Sequence, residues 1–114
     1  MARILVIDDD AEIREMISEK LSSHEVREAY SGADGVHTYQ DQHPDLIITD
    51  LMMSEMNGFQ TIESIRKNDL ITPIVVCSGY PENESMAIES GANAFLCKPF
   101  TLDKLHQLVD SLLE

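Results

Sequence analysis

The sequence predicts an α/β domain in which five strands alternate with five helices around one parallel sheet. Three observations point there. Ile4 to Ile7, Leu46 to Thr49 and Ile74 to Cys77 are short runs without a charged residue, as expected of strands buried on both faces. Between them lie segments whose apolar residues recur at helical spacing. The runs also stop abruptly on polar residues, Asp8, Asp50 and Ser78. Crossovers between parallel strands are right-handed, so the strand C-termini share one edge, where ligands gather at the switch in strand order.

Length and composition fit this reading. With 114 residues, the chain is long enough for one domain with a real core and too short for two. It is 43% hydrophobic and 25% charged, within the range of a globular protein. No apolar run approaches the roughly 18 residues that span a bilayer. Met1-Ala2-Arg3 does not resemble the start of a secretory signal, so a cytoplasmic location is expected. Twenty-one acids against eight bases give a formal charge of −13, which repels nucleic acid and anionic membranes. Direct nucleic-acid binding is not expected. Cys77 and Cys97 have no metal-ligand spacing and read as free buried thiols; His24, His37, His43 and His106 read as surface residues.

In chain order, Arg3 to Ile7 is the first strand, closed by Asp8, Asp9 and Asp10. Ile13, Ile17 and Leu21 then mark a helix from about Ala11 to Ser22, with Asp10 placed to cap it. Glu25 to Tyr30 alternates weakly, as an edge strand does. A second helix, Ser31 to Gln42, is poorly signalled because Gly32 and Gly35 lower its propensity. Pro44 stops it, and the central strand Asp45 to Thr49 follows. After a Met-rich loop, Asn57-Gly58 marks a turn, and Phe59, Ile62 and Ile65 define a third helix ending near Asn68-Asp69. Ile74 to Cys77 is the fourth strand. Glu82 to Ser90 makes a helix closed by Gly91. Ala94 to Cys97 is the last strand, ending on Lys98-Pro99. Thr101 then caps a helix that carries Leu102, Leu105, Leu108, Val109 and Leu112 on one face. Met16, Met52, Met53, Met56 and Met86 read as packing residues or adaptable surface.

In this arrangement Asp8, Asp9, Asp50, Ser78 and Lys98 converge at one edge of the sheet. Carboxylates brought together repel by roughly 4 kcal/mol per pair at about 4 Å in a partly solvated site. A hard divalent cation relieves this: oxygen ligands from Asp9 and Asp50 with several waters suit Mg²⁺, or Mn²⁺ as the alternative, and not zinc. Cation, ammonium and hydroxyl around one carboxylate suit phosphoryl transfer. Asp50 would be the nucleophile, Lys98 the countercharge and Ser78 a hydrogen-bond donor to the phosphoryl oxygens.

Ile4 to Asp10, Pro44 to Met53, Pro73 to Gly79 and Phe95 to Phe100 together resemble the receiver domain of two-component response regulators, of the chemotaxis-regulator type, over essentially residues 1–114. The resemblance implies a flavodoxin-like doubly wound (βα)5 fold with strand order 2-1-3-4-5 and helices on both faces. It implies that Asp50 accepts phosphate from a histidine kinase or phosphotransfer protein. Asp9, Asp50 and the Met52 backbone carbonyl would hold Mg²⁺ directly, and Asp8 through water. Ser78 and Phe95 would carry a switch, the aromatic ring following the hydroxyl, and so reshape a surface for an output domain or protein. Such a domain is not an enzyme beyond promoting its own phosphorylation and dephosphorylation. A phosphorylation-dependent homodimer is one partner that fits such a domain, and the sequence does not decide whether the last helix would form it.

Departures from the family pattern bear on lifetime and rigidity. Ser54 stands where relatives commonly have proline, Ser78 replaces the commoner threonine, and Phe95 lacks a tyrosine hydroxyl. Bulky Met52 and Tyr80 are expected to hinder water attack, giving slow loss of phosphate. The main alternative is a small Mg²⁺-dependent phosphatase working through an aspartyl phosphate. Haloacid-dehalogenase-like enzymes of that kind have an acid two positions after the nucleophile, where Met52 stands here. A flavodoxin-like redox carrier is opposed by the three acids after the first strand, which would repel a phosphate. A receiver that signals without phosphate is disfavoured because all five site groups are present. Both a complete single-domain regulator and a piece of a longer one fit the sequence.

Overall fold

A computed structural model of the chain describes residues 1–51 and 57–114. The elements are β1 (Arg3–Ile7), α1 (Ala11–Lys20), β2 (Glu25–Ala29), α2 (Gly32–Gln42), β3 (Leu46–Asp50), α3 (Gly58–Arg66), β4 (Ile74–Ser78), α4 (Glu84–Ser90), β5 (Ala94–Cys97) and α5 (Leu102–Leu113). All strand pairs are parallel, in the order β2-β1-β3-β4-β5. This is the flavodoxin-like order that the resemblance implies.

The uninterrupted apolar runs follow from burial on two sides. β3 and β4 are buried at every position. Ile47, Ile74 and Val76 pack with Tyr39 of α2, Ile62 and Ile65 of α3 and Ala87 of α4. Leu46, Ile48, Val75 and Cys77 face the other way, onto Ile17 of α1 and Leu105 and Val109 of α5. β2 lies at the edge and exposes most of its residues, which explains its weak alternation. Side chains cap the helices as their residue types suggest: Asp10 accepts from the N–H groups of Glu12 and Ile13, Ser31 from Asp34 and Thr101 from Lys104. None of the described helices is long and apolar enough to cross a membrane.

Some local features differ from expectation. Asn57-Gly58 is not a free-standing turn. Asn57 and Gln60 form a reciprocal capping box and Gly58 opens α3. The helix expected from Glu82 begins instead as a 3-10 turn, Pro81–Asn83, before α4 proper. Pro81 suits a first helical position, and tight bonds from Asn83 N–H to the Tyr80 carbonyl wind this turn more closely than an α-helix. Cys77 is buried as expected, but Cys97 is exposed, because it ends an edge strand.

At the edge of the sheet where β4 and β5 begin, Asp69 closes the α3–β4 connection. Its carboxylate accepts from the N–H groups of Ile71 and Thr72 at 2.9 and 3.0 Å, from the Tyr39 hydroxyl at 2.6 Å and from the Thr72 hydroxyl. Burial opposes its ionisation, but these donors outweigh it and hold the carboxyl well below the usual carboxylate range. Burial and the same hydrogen bond push the Tyr39 hydroxyl up to about 12. Arg66 braces the neighbouring loop: its Nε and Nη2 donate to the Gly91 carbonyl at 3.0 and 2.9 Å. Gly91 has φ +121°, and a side chain there would collide with Arg66, so this helix end requires glycine.

Asp69→Ala is expected to lower unfolding free energy by about 2 kcal/mol at neutral pH, since it removes a charged acceptor from four donors. A depressed folded-state pKa stabilises only where the carboxyl is ionised. The gap between variant and wild type is therefore full above about pH 4 and narrows as pH falls further. Urea unfolding across that range measures it.

Candidate functional site

The pocket is built from strand ends. Register pairs Ile7 with Thr49, so Asp8 and Asp50 leave the sheet side by side. Asp8 and Asp50 are buried, at 4% and 8% exposure, while Asp9 is open to solvent. Carboxylate oxygens of the three lie within 4.8 Å of one another. Lys98 comes from the adjacent strands: β5 pairs with β4, and the Lys98 N–H donates to the Ser78 carbonyl at 2.8 Å as the chain leaves the sheet. The following Lys98–Pro99 bond is cis. Lys98 Nζ reaches back to 3.3 Å from Asp50 Oδ2 and 3.8 Å from Asp8 Oδ2.

Main-chain donors orient the carboxylates. Leu51 N–H donates to Asp50 Oδ1 at 2.7 Å, and Asp10 N–H donates to Asp8 Oδ1 at 2.9 Å. The Ser78 hydroxyl is fully buried at the end of β4, where its oxygen accepts from Tyr80 N–H at 3.2 Å. Gly79 beside it leaves open space where a side chain would stand. Phe95 is half-buried against the α2, α3 and α4 face of the core, on the strand next to Ser78. The expectations placed on Met52, Met53, Ser54 and Met56 lie outside the described residues.

Gly58 was not legible as part of this region. A Cβ there would stand 2.4 Å from the Asp50 carbonyl oxygen and 2.7 Å from Leu51 Cα, so α3 can pack against the end of β3 only through glycine. An Asn-Gly pair reads as a turn, and the close approach has no sequence signal of its own.

The electrostatics favour an added cation. Burial raises the Asp8 pKa, as do the charges of Asp50 and Asp9, against the pull of Asp10 N–H and Lys98. Burial would lower the Lys98 pKa, but Asp50 and Asp8 outweigh it and raise it. Burial pushes the neighbouring Cys77 thiol up to about 12, so it stays neutral. Among the described residues, three carboxylates against one ammonium leave excess negative charge, and the donors are oxygens. That set fits a hard divalent cation that keeps part of its hydration through the open Asp9 side. Neither histidine nor cysteine joins it among the described residues, so zinc does not fit.

The sequence profile described as "Response regulator receiver domain" matches residues 4–110. The chain belongs to this family. It is a receiver domain of two-component systems, and the family is regulatory. This receiver is 34% identical to the chemotaxis protein CheY of Bacillus subtilis, over 97% of both chains. It is also 34% identical to the regulatory protein AtoC of Escherichia coli, but spans only 25% of that protein's length. The receiver domain of the Francisella response regulator 1452 superposes with a TM-score of 0.93 at 28% identity, over 99% of this receiver and 97% of that one. The response regulator TrrA of Thermotoga maritima, solved in complex with Mg²⁺-BeF, superposes with a TM-score of 0.91 at 30% identity, over 99% and 100% of the chains.

Asp8→Asn removes one of the crowded charges and keeps an oxygen for Asp10 N–H. In chelator, the variant is expected to be more stable than wild type by on the order of 1 kcal/mol, melting several degrees higher. The sign follows from the raised pKa of a buried acid. The folded state holds the proton more tightly, so wild-type stability falls as pH rises through the folded-state value, and the variant lacks that component. Calorimetry at acidic and neutral pH reads both effects.

Proposed function

We propose that residues 1–114 act as one receiver domain that accepts a phosphoryl group on Asp50 from a histidine kinase or phosphotransfer protein in the cytoplasm. The observation that carries this reading is the convergence of Lys98 Nζ on Asp50 and Asp8, at 3.3 and 3.8 Å, inside a pocket of three carboxylates. An ammonium held by two acids supports this reading, since it can turn to a new anion as it arrives.

In the proposed step an Asp50 carboxylate oxygen bonds to phosphorus while the phosphorus–nitrogen bond of the phosphohistidine breaks and its electron pair returns to the imidazole. The product is an acyl phosphate. Lys98 shifts its contact from the carboxylate to a phosphoryl oxygen. Asp9 and Asp50, Asp8 through water and the Met52 carbonyl that the resemblance implies would hold Mg²⁺ or Mn²⁺, which would supply further positive charge to those oxygens. Ser78 gives up its contact with Tyr80 N–H and donates its hydroxyl to the phosphoryl group. Phe95 then moves into the vacated volume, which reshapes the α4, β5 and α5 surface for an output domain, an output protein or a second copy of the chain. The domain promotes only its own phosphorylation and dephosphorylation and turns over no external substrate.

Incubation with a small acyl-phosphate donor and Mg²⁺ is expected to add one base-labile phosphate to wild type and none to Asp50→Asn, read by intact mass. Release of free phosphate over many turnovers would instead support the aspartyl-phosphate phosphatase.

Tyr80 is 51% exposed and follows Gly79, two residues after Ser78. With Met52 it is proposed to shield the acyl phosphate from water. Met52→Asn combined with Tyr80→Glu is expected to shorten the phosphoryl lifetime several-fold, followed by loss of the phosphorylated mass after donor removal. An unchanged lifetime would count against shielding.

A further inference from the structure

Arg14 takes no part in the proposed transfer, yet its guanidinium is committed to the carboxylate pocket. It leaves the first turns of α1 and stays 17% exposed, while Glu12, Glu15 and Glu19 around it face solvent. Its Nη1 donates to the Asp8 carbonyl at 2.7 Å and its Nε to Glu28 Oε1, on β2, at 3.1 Å. The other Glu28 oxygen accepts from the Ser18 hydroxyl at 3.0 Å. The fork is thus held between the end of β1 and the edge strand by two acceptors at once, which a lysine cannot reproduce.

The Asp8 carbonyl belongs to the planar unit that joins Asp8 to Asp9. The rest of Asp8 is already fixed: its N–H donates to the Ala29 carbonyl at 3.1 Å and its carboxylate accepts from Asp10 N–H at 2.9 Å. Holding the carbonyl sets the rotation of that plane, and with it the direction in which Asp9 leaves the chain. Asp9 is the exposed member of the three and has the least packing around it.

We propose that Arg14, braced by Glu28 and Ser18, is a positioning residue that holds the Asp8–Asp9 peptide plane so that both carboxylates face one divalent cation. This rests on the metal reading above. Charge and geometry predict opposite signs. Deleting a cation near a cation site strengthens metal binding through electrostatics alone, whereas losing the anchor weakens it.

Mn²⁺ is the probe, titrated into the full chain and followed by the electron paramagnetic resonance signal of the free ion. Circular dichroism melts without metal report on folding. Wild type is expected to bind, and Asp9→Asn to lose most of the affinity. Arg14→Ala and Arg14→Lys are each expected to bind about 10-fold more weakly than wild type, the usual range for groups that orient a ligand. Glu28→Ala, at an exposed strand position, should weaken binding in the same direction and add little to Arg14→Ala, which keeps the test available if the arginine variants do not fold. Unchanged or tighter binding by Arg14→Ala, with Asp9→Asn still impaired, overturns the positioning role and leaves the metal site standing. In that fallback, unchanged binding by Glu28→Ala overturns the positioning role. Wild type that does not bind Mn²⁺ overturns both.

Discussion

Asp50 ends a strand that is buried on both faces along its whole length, and the rest of the pocket answers the electrostatic problem this creates. A parallel sheet places neighbouring strand ends at the same edge, so Asp8 arrives beside Asp50 and adds a second buried carboxylate. Lys98 offsets part of the repulsion from a position two strands away, through a side chain only one quarter exposed. Asp9 and Asp8 together leave more negative charge than one ammonium can balance. The unbalanced remainder is what makes these oxygens fit a hard divalent cation.

The two edges of the sheet divide their tasks. Where β4 and β5 begin, Asp69 and Arg66 bind loop backbone, Tyr39 donates its hydroxyl to the Asp69 carboxylate, and the Asn93 side chain accepts from Ile74 N–H at the start of β4. Where the strands end, side chains face one another across a pocket that is partly open to solvent.

How much was legible beforehand followed burial and range. β3 and β4 were plain because packing on both faces leaves an uninterrupted apolar run, and α5 because Leu105 and Val109 face one layer at helical spacing. The pocket acids were legible because strand ends in such a sheet must converge. Gly58 was hidden, since its reason is the Asp50 carbonyl behind it and not the turn that Asn-Gly suggests. The Arg14 contact was hidden because its target is a backbone carbonyl, which carries no residue identity. Asp69 depends on Tyr39, thirty positions earlier, a pairing that only packing creates. Cys97 could not be told from Cys77, because both close apolar runs and only strand order separates the edge from the centre.

The pocket draws on residues 8, 9, 50, 78 and 98, from four strands that meet only when the sheet is nearly complete. A chain emerging during synthesis carries its acids long before it has its lysine, and β5 must dock on β4 before Lys98 can reach Asp50. Long-range pairings of this kind form late relative to local helices. The meeting of the three carboxylates with Lys98 is therefore itself a readout of finished folding, complete only once both ends of the chain have joined the sheet.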